Sequence, residues 1–291
     1  MCGASWPVEV RAAVTSAASC VKDDPGLLTE AGREERGKSL CRMFCMPCHT
    51  SPWHWHSCHQ GQRAVKECRR YIDKDMNCCF TPLSRSSPIT DSSPYEVRRA
   101  QELNNLLGPK GSTDAIDLIC DLHNTTANMG LTLIHYTTSD WVTLARTSQT
   151  KITKVPVRVL VLDFPISDAY NFESVSRHGF SIEVGPQPHG VVRADIYIIM
   201  KEAVDLTIDW IHKFNSGTVF EGGDVEAFKF IKSVDYPRDP ETRTLTSAIH
   251  PQLQDRDFCL LMRGDPLFFT FSRETVKPLY DCLWWMSYHI L

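Results

Sequence analysis

Three short stretches carry side chains that could do chemistry. The first is Asp121-Leu122-His123, at the end of the apolar run Asp117–Leu122. A neutral imidazole can bind a metal through one ring nitrogen while a nearby carboxylate fixes the other. Alone, the pair is more often a structural histidine with its hydrogen bond. The second is Glu183 in Ser181-Ile182-Glu183-Val184. A carboxylate among apolar neighbours has its pKa pushed up and suits general-base work; an outward-facing residue on a half-exposed strand is the other reading. The third is Arg69-Arg70-Tyr71-Ile72-Asp73-Lys74-Asp75-Met76-Asn77, where basic, acidic and amide groups share one loop. Such a loop could hold a carboxylate or an oxyanion, or could be a solvated charged turn.

The elements that must position these groups follow from periodicity. Val97, Ala100, Leu103, Asn104 and Leu107 recur at helical spacing after Pro94-Tyr95-Glu96, and Gly108-Pro109 ends the pattern. Residues 117–122, 131–136, 157–164 and 180–184 read as strands, the last ended by Gly185-Pro186. A helix is expected over 194–214, with Ile196, Ile199, Met200, Ala203, Val204, Ile208 and Ile211 on one face and Asn215-Ser216-Gly217 at its end. Strands alternating with helices predict an α/β fold, a largely parallel sheet covered on both faces. Ligands on such sheets bind at the carboxyl ends of strands, where His123 and Glu183 fall. From Thr218 on, Pro and Gly punctuate short strand-like pieces such as 228–231 and 267–271, which predicts a smaller β-rich domain over 217–291.

Composition narrows the function classes. The 291 residues are 42% hydrophobic and 23% charged, with net charge −4 and no Lys/Arg-rich run. Nucleic acid is therefore not expected as a partner. No apolar stretch reaches the roughly 18–20 residues of a membrane span. The first eleven residues carry Glu9 and Arg11 where a signal peptide would be apolar, so a cytosolic location is expected. Of the 12 cysteines, nine lie in the first 79 residues. That asymmetry, with no sustained period, predicts a divergent, irregular segment over 1–62, ahead of a catalytic domain over 63–216.

Taken together, the motifs resemble a known family. Residues 68–77, Pro94-Tyr95-Glu96-Val97-Arg98-Arg99-Ala100, Asp121-Leu122-His123-Asn124-Thr125-Thr126-Ala127-Asn128-Met129-Gly130 and Ile182-Glu183-Val184-Gly185-Pro186-Gln187-Pro188 are similar to aspartoacylase and to its sister, the aminoacylase that prefers N-acyl aromatic amino acids. Val234-Asp235-Tyr236-Pro237-Arg238-Asp239 and His250-Pro251-Gln252-Leu253-Gln254-Asp255 extend the likeness, which runs from about residue 63 to about 280. The resemblance implies a zinc-carboxypeptidase-like mixed sheet covered by helices. It implies one zinc ion held by His, Glu and His, a zinc-bound water as nucleophile and a small-molecule N-acyl-L-amino acid as substrate. By motif, it places His123 as a zinc ligand and Glu183 as the catalytic glutamate. Arg70 becomes the residue that polarises the acyl carbonyl, Asn77 and Tyr170 substrate contacts, and Asp75 an orienting group. Self-association into a homo-oligomer is left open.

The sequence also departs from the family. The first two zinc ligands should come from a His-x-x-Glu motif on an upstream strand, yet none of the 11 histidines is followed three residues later by Glu or Asp. Cys45, Cys48, His49, His54, His56, Cys58 and His59 include ligand spacings but lie just before the Arg70 loop. The break near Arg63 reads as an alternative exon or an out-of-frame junction. Structural zinc binds with about 10–16 kcal/mol from four ligands, so two missing ligands remove on the order of 6–8 kcal/mol, about 10⁴–10⁶ in affinity. The chain is accordingly expected to be inactive or nearly so, which makes a catalytically inactive isoform or a binding or regulatory partner the alternative function. Cys78 stands where the family has an arginine for a substrate carboxylate, and Glu173 falls at or near a second. Both changes favour the aromatic-preferring sister. After Leu279-Tyr280 the resemblance stops.

Overall fold

A computed structural model of the chain describes residues 12–16, 56–59, 63–64, 67, 70–136, 142–188, 191, 193–220, 224–231, 233–277 and 283–285. Its centre is a sheet of strands β1 (Ala12–Ser16), β2 (His56–His59), β3 (Leu118–Asn124), β4 (Gly130–His135), β5 (Val157–Val161), β6 (His178–Gly185) and β7 (Phe228–Lys229). The spatial order is β2-β1-β3-β6-β4-β5-β7. Neighbours run parallel except at β4 and β6, so the sheet is mixed. The reason is local: residues 125–129 are too few to carry the chain back to the far end of β3, as a parallel crossover requires. β4 instead pairs antiparallel with β6, Thr132 opposite Glu183 and Ile134 opposite Ser181.

Helices described around the sheet follow from their sequence: α1 (Pro82–Ser86), α2 (Tyr95–Leu107), α3 (Val142–Lys151) and α4 (Ala194–Asn215). α4 buries Ile196, Ile199, Met200, Ala203, Val204, Thr207, Trp210 and Ile211, and Gly217 follows its end with φ +76°. These side chains, with Leu144, Ala145 and Ile152 around α3, cover Leu118, Cys120, Leu122, Leu131, Leu133, Phe180, Ile182 and Val184 on one face of the sheet. Each Leu, Ile, Val, Phe or Met among them contributes about 1.5–3 kcal/mol when fully buried. On the opposite face Ile119 packs with Phe80, Ala100, Leu103, Leu107, Phe172 and Val175, so α2 and the loop before α1 cover that side.

The smaller unit holds an antiparallel sheet of β8 (Ser247–Ile249), β10 (Phe268–Thr270) and β11 (Thr275–Val276), and a pair of β9 (Cys259–Leu261) with β12 (Leu283–Trp285). Leu253, Leu261, Leu267 and Phe268 form its core.

Three features of the fold add to the sequence reading. Residues 1–62 are not irregular throughout: β1 and β2 join the main sheet, with Thr15 registered against Cys58 and Asp121. Strands of five and four residues are too short to show a period, and β2, His-Ser-Cys-His, has no β-branched or aromatic residue to mark it. Residues 228–229 pair with β5 at the edge of the main sheet. Helix α3 escaped the periodicity because its sequence is mostly polar and buries Leu144, Ala145 and Ser148. The remaining residues of the Cys/His cluster, Cys45, Cys48, His49 and His54, lie outside the described residues, as does much of the segment after Leu279.

Candidate active site

Strand alternation decides which side chains meet. With Cys120 and Leu122 in the apolar core, Asp121 and His123 of β3 face the other way. Ser181 is registered beside Asp121 and Glu183 beside His123. A buried polar row thus crosses two strands at their carboxyl ends, with Asp121 0%, Ser181 5% and Glu183 3% exposed. The two side chains that the sequence singled out as metal ligand and base are lateral neighbours.

His123 Nε2 lies 2.8 Å from Asp121 Oδ2. Its Nδ1 makes no hydrogen bond among the described residues. Burial lowers the imidazole pKa, but the Asp121 carboxylate and its hydrogen bond, with the charges of Glu183 and Glu173, outweigh it and raise it to about 10. One nitrogen held by a buried carboxylate with the other open is how metal-binding histidines are oriented.

A second set of groups continues the row. Glu173, 2% exposed, receives Tyr136 Oη–H at 2.9 Å, Asn171 Nδ2–H at 2.8 Å and Ser181 Oγ–H at 2.7 Å, all on Oε1. Its Oε2 is buried with no hydrogen-bond partner. Burial, then the Asp121 charge, raises its pKa. Gly179 makes this possible, since a Cβ there would lie 2.4 Å from the Glu173 carbonyl oxygen. Sequence reasoning met Glu173 only as a changed position and missed Tyr136, Asn171 and Ser181. The signal available was the i, i+2 repeat of polar residues in β3 and β6.

The Arg70 loop lies over this face through Met76, Cys79 and Phe80, which pack with Ile119 of β3. Arg70 donates from Nε (3.0 Å) and Nη2 (2.7 Å) to Asp75 Oδ2. Asp75 Oδ1 accepts from the Asn77 backbone N–H at 3.0 Å. Asn77 Oδ1 is buried with no hydrogen-bond partner. Arg70 and Asn77 make no hydrogen bond to His123 or Glu183, so loop and strands form two walls rather than one network. Tyr170 is 53% exposed, and its carbonyl accepts from Phe80 N–H at 3.2 Å, which ties it to the end of the same loop. Cys78 is an exposed free thiol at the position beside Asn77.

The smaller unit reaches the site loop. Asn128 N–H donates to Asp257 Oδ2 at 2.7 Å, and Asn128 Nδ2–H to the Asp255 carbonyl at 2.9 Å. Phe258 packs with Ala127 and Met129.

The donor chemistry gives one metal ligand, not a site. Among the described residues no three His, Cys, Asp or Glu side chains converge to hold an ion. The β1 residue registered beside the polar row, Thr15 opposite Asp121, is neither histidine nor glutamate.

A buried carboxylate beside a half-buried imidazole at strand ends, opposite an arginine loop, suits general-base chemistry on a carbonyl compound. Comparison with known proteins agrees on the class. The pattern of the succinylglutamate desuccinylase/aspartoacylase catalytic domain matches residues 61–211, and that of the AstE/AspA barrel-sandwich hybrid domain matches 223–280. The chain belongs to the succinylglutamate desuccinylase/aspartoacylase family. It is 83% identical over 216 residues to the zebrafish (Danio rerio) N-acyl-aromatic-L-amino acid amidohydrolase (carboxylate-forming) A, covering 74% of this chain and 66% of that protein. It is 40% identical over 236 residues to zebrafish aspartoacylase, covering 80% of this chain and 71% of the relative. The crystal structure of murine aminoacylase 3 superposes with a TM-score of 0.77 at 33% identity, over 97% of this chain and 90% of the other. The chain thus spans about two thirds of the length of the first of these relatives. No helix among the described residues is long and apolar enough to cross a membrane.

Proposed function

We propose that this chain binds an N-acyl-L-amino acid between the Arg70 loop and the carboxyl ends of β3 and β6, and that the reaction built into the site is hydrolysis of the amide bond to a carboxylate and a free amino acid. One observation carries the reading: a half-buried His123 and a buried Glu183 are registered as neighbours on the sheet face that the Arg70 loop covers. The likeness to relatives named as amidohydrolases supports it.

Each residue has a task that needs no group from outside the chain. Arg70, oriented by Asp75, offers its remaining guanidinium N–H donors to the acyl carbonyl or to the charge that develops there. The unpaired Asn77 Oδ1 accepts from the substrate. Glu183 takes the proton of the attacking water and passes it to the amide nitrogen as the C–N bond breaks. Tyr170 forms the rim. The substrate side chain is aromatic rather than acidic in this reading, because Cys78 and Glu173 offer an acidic group no cation. The zinc that the resemblance implies has one candidate ligand here, His123. The domains in this reading divide near residues 62 and 216, and the site of action is the cytosol.

A second reading, binding without turnover, is favoured by the absence of His-x-x-Glu from the sequence. One experiment tests both. N-acetyl-L-tyrosine and N-acetyl-L-aspartate are titrated into the chain by NMR while released amino acid is assayed. The expected result is binding of the tyrosine compound, weakened about tenfold or more by Arg70→Ala; release of tyrosine supports hydrolysis, and binding without release supports the second reading. No binding of either compound, or equal binding by Arg70→Ala, would overturn the proposal.

A further inference from the structure

Glu96 belongs to none of the groups above, yet it is 1% exposed and sits in the first turn of α2. Three successive backbone N–H groups of the Arg70 loop converge on it. Ile72 N–H donates to Oε1 at 2.5 Å, and Asp73 and Lys74 N–H both donate to Oε2 at 3.0 Å. Consecutive N–H groups turned to one point form a nest for an anion, and here the anion is a side chain of the protein itself. The arrangement is reciprocal: Asp73 Oδ2 accepts from Tyr95 N–H, at 2.8 Å, at the start of the same helix. Asp73 and Lys74 donate no hydrogen bond to another backbone group, so Glu96 is what holds their part of the loop.

The consequence reaches the ligand-binding groups. Asp75 follows directly, pairs with Arg70 through Oδ2 and holds Asn77 N–H through Oδ1. We propose that Glu96 is the positioning residue of this loop: by gathering the 72–74 amides it sets Asp75, and through Asp75 the Arg70 guanidinium and the Asn77 amide. The inference rests on the preceding reading only for what Arg70 and Asn77 touch. A carboxylate is required. Glutamine offers one acceptor oxygen and turns an N–H₂ donor towards loop N–H groups. Aspartate keeps both oxygens but is one methylene shorter.

The test uses the full chain with Glu96→Gln, Glu96→Asp and Asp73→Ala. It reads amide exchange at 72–74, the Arg70 Nε–H resonance, thermal midpoint and affinity for N-acetyl-L-tyrosine. In Glu96→Gln, protection at 72–74 is expected to fall at least tenfold and affinity about tenfold, with partial recovery of both in Glu96→Asp. Asp73→Ala, which loses the helix cap but keeps the nest, should lower the thermal midpoint and hold affinity within about twofold. Affinity within about twofold of wild type in Glu96→Gln would overturn the proposal, as would an equal loss in Asp73→Ala. Should Glu96→Gln not fold, Glu96→Asp decides: lost protection with wild-type affinity overturns the proposal. A wild-type chain that binds no probe would sink the site reading alone. Exchange at 72–74 and the Arg70 resonance would then still decide the role of Glu96, and no change in either would refute it.

Discussion

His135 is the histidine whose protonation the fold opposes. It is 2% exposed on β4, stacked on Phe180 with ring centroids 5.4 Å apart, and burial lowers its pKa to about 3. The unfolded value is about 6.5, so the unfolded chain takes up this proton first. The stability contributed by the neutral ring is therefore complete above about pH 6.5 and is lost as pH falls towards 3, at about 1.4 kcal/mol per unit. Urea unfolding at several pH values should show this slope, and His135→Phe should flatten it; an unchanged slope would assign the acid sensitivity elsewhere. Residues such as His123 and Glu183 were legible in the sequence because strand alternation places them and neighbouring apolar residues bury them. Glu96 and Glu173 were not. Their partners lie 22–24 residues away for Glu96 and as far as Tyr136 for Glu173, and no local pattern encodes such distances.

At the level of elements, two substitutions separate packing from chemistry. Leu103 on α2 is fully buried against Ile119, and Leu103→Ala should cost about 2–5 kcal/mol in denaturant unfolding. A cost near zero would mean that α2 does not cover this face. Gly179→Ala should cost about 1–3 kcal/mol, because the new Cβ meets the Glu173 backbone, which cannot swing aside as a side chain tip can. Crystallography of that variant should show Glu173 displaced from Ser181; an undisturbed contact would contradict the close-approach account. The long helix α4 and the central strands were legible because many apolar residues repeat a single period. The short strands β1 and β2, and the mixed direction of the sheet, were not: pairing with β3 and the brevity of the 125–129 loop decide them.

For the whole molecule, the smaller unit is coupled to the site through the loop after β3. Asp257→Ala leaves the Asn128 N–H without its acceptor, and a loss of about 1–3 kcal/mol is expected in chemical unfolding. A separate early transition reported by Trp210 fluorescence alone would contradict that coupling. The molecule retains the family's scaffold and the Arg70 loop, but among the described residues no three His, Cys, Asp or Glu side chains converge as a zinc site requires.

Zinc stoichiometry of the purified, tag-free chain at neutral pH tests this account most directly. Metal far below one ion per chain, with no dependence on His123, is the predicted result. About one zinc per chain, lost in His123→Ala, would contradict it and would show that residues upstream of the Arg70 loop complete the site.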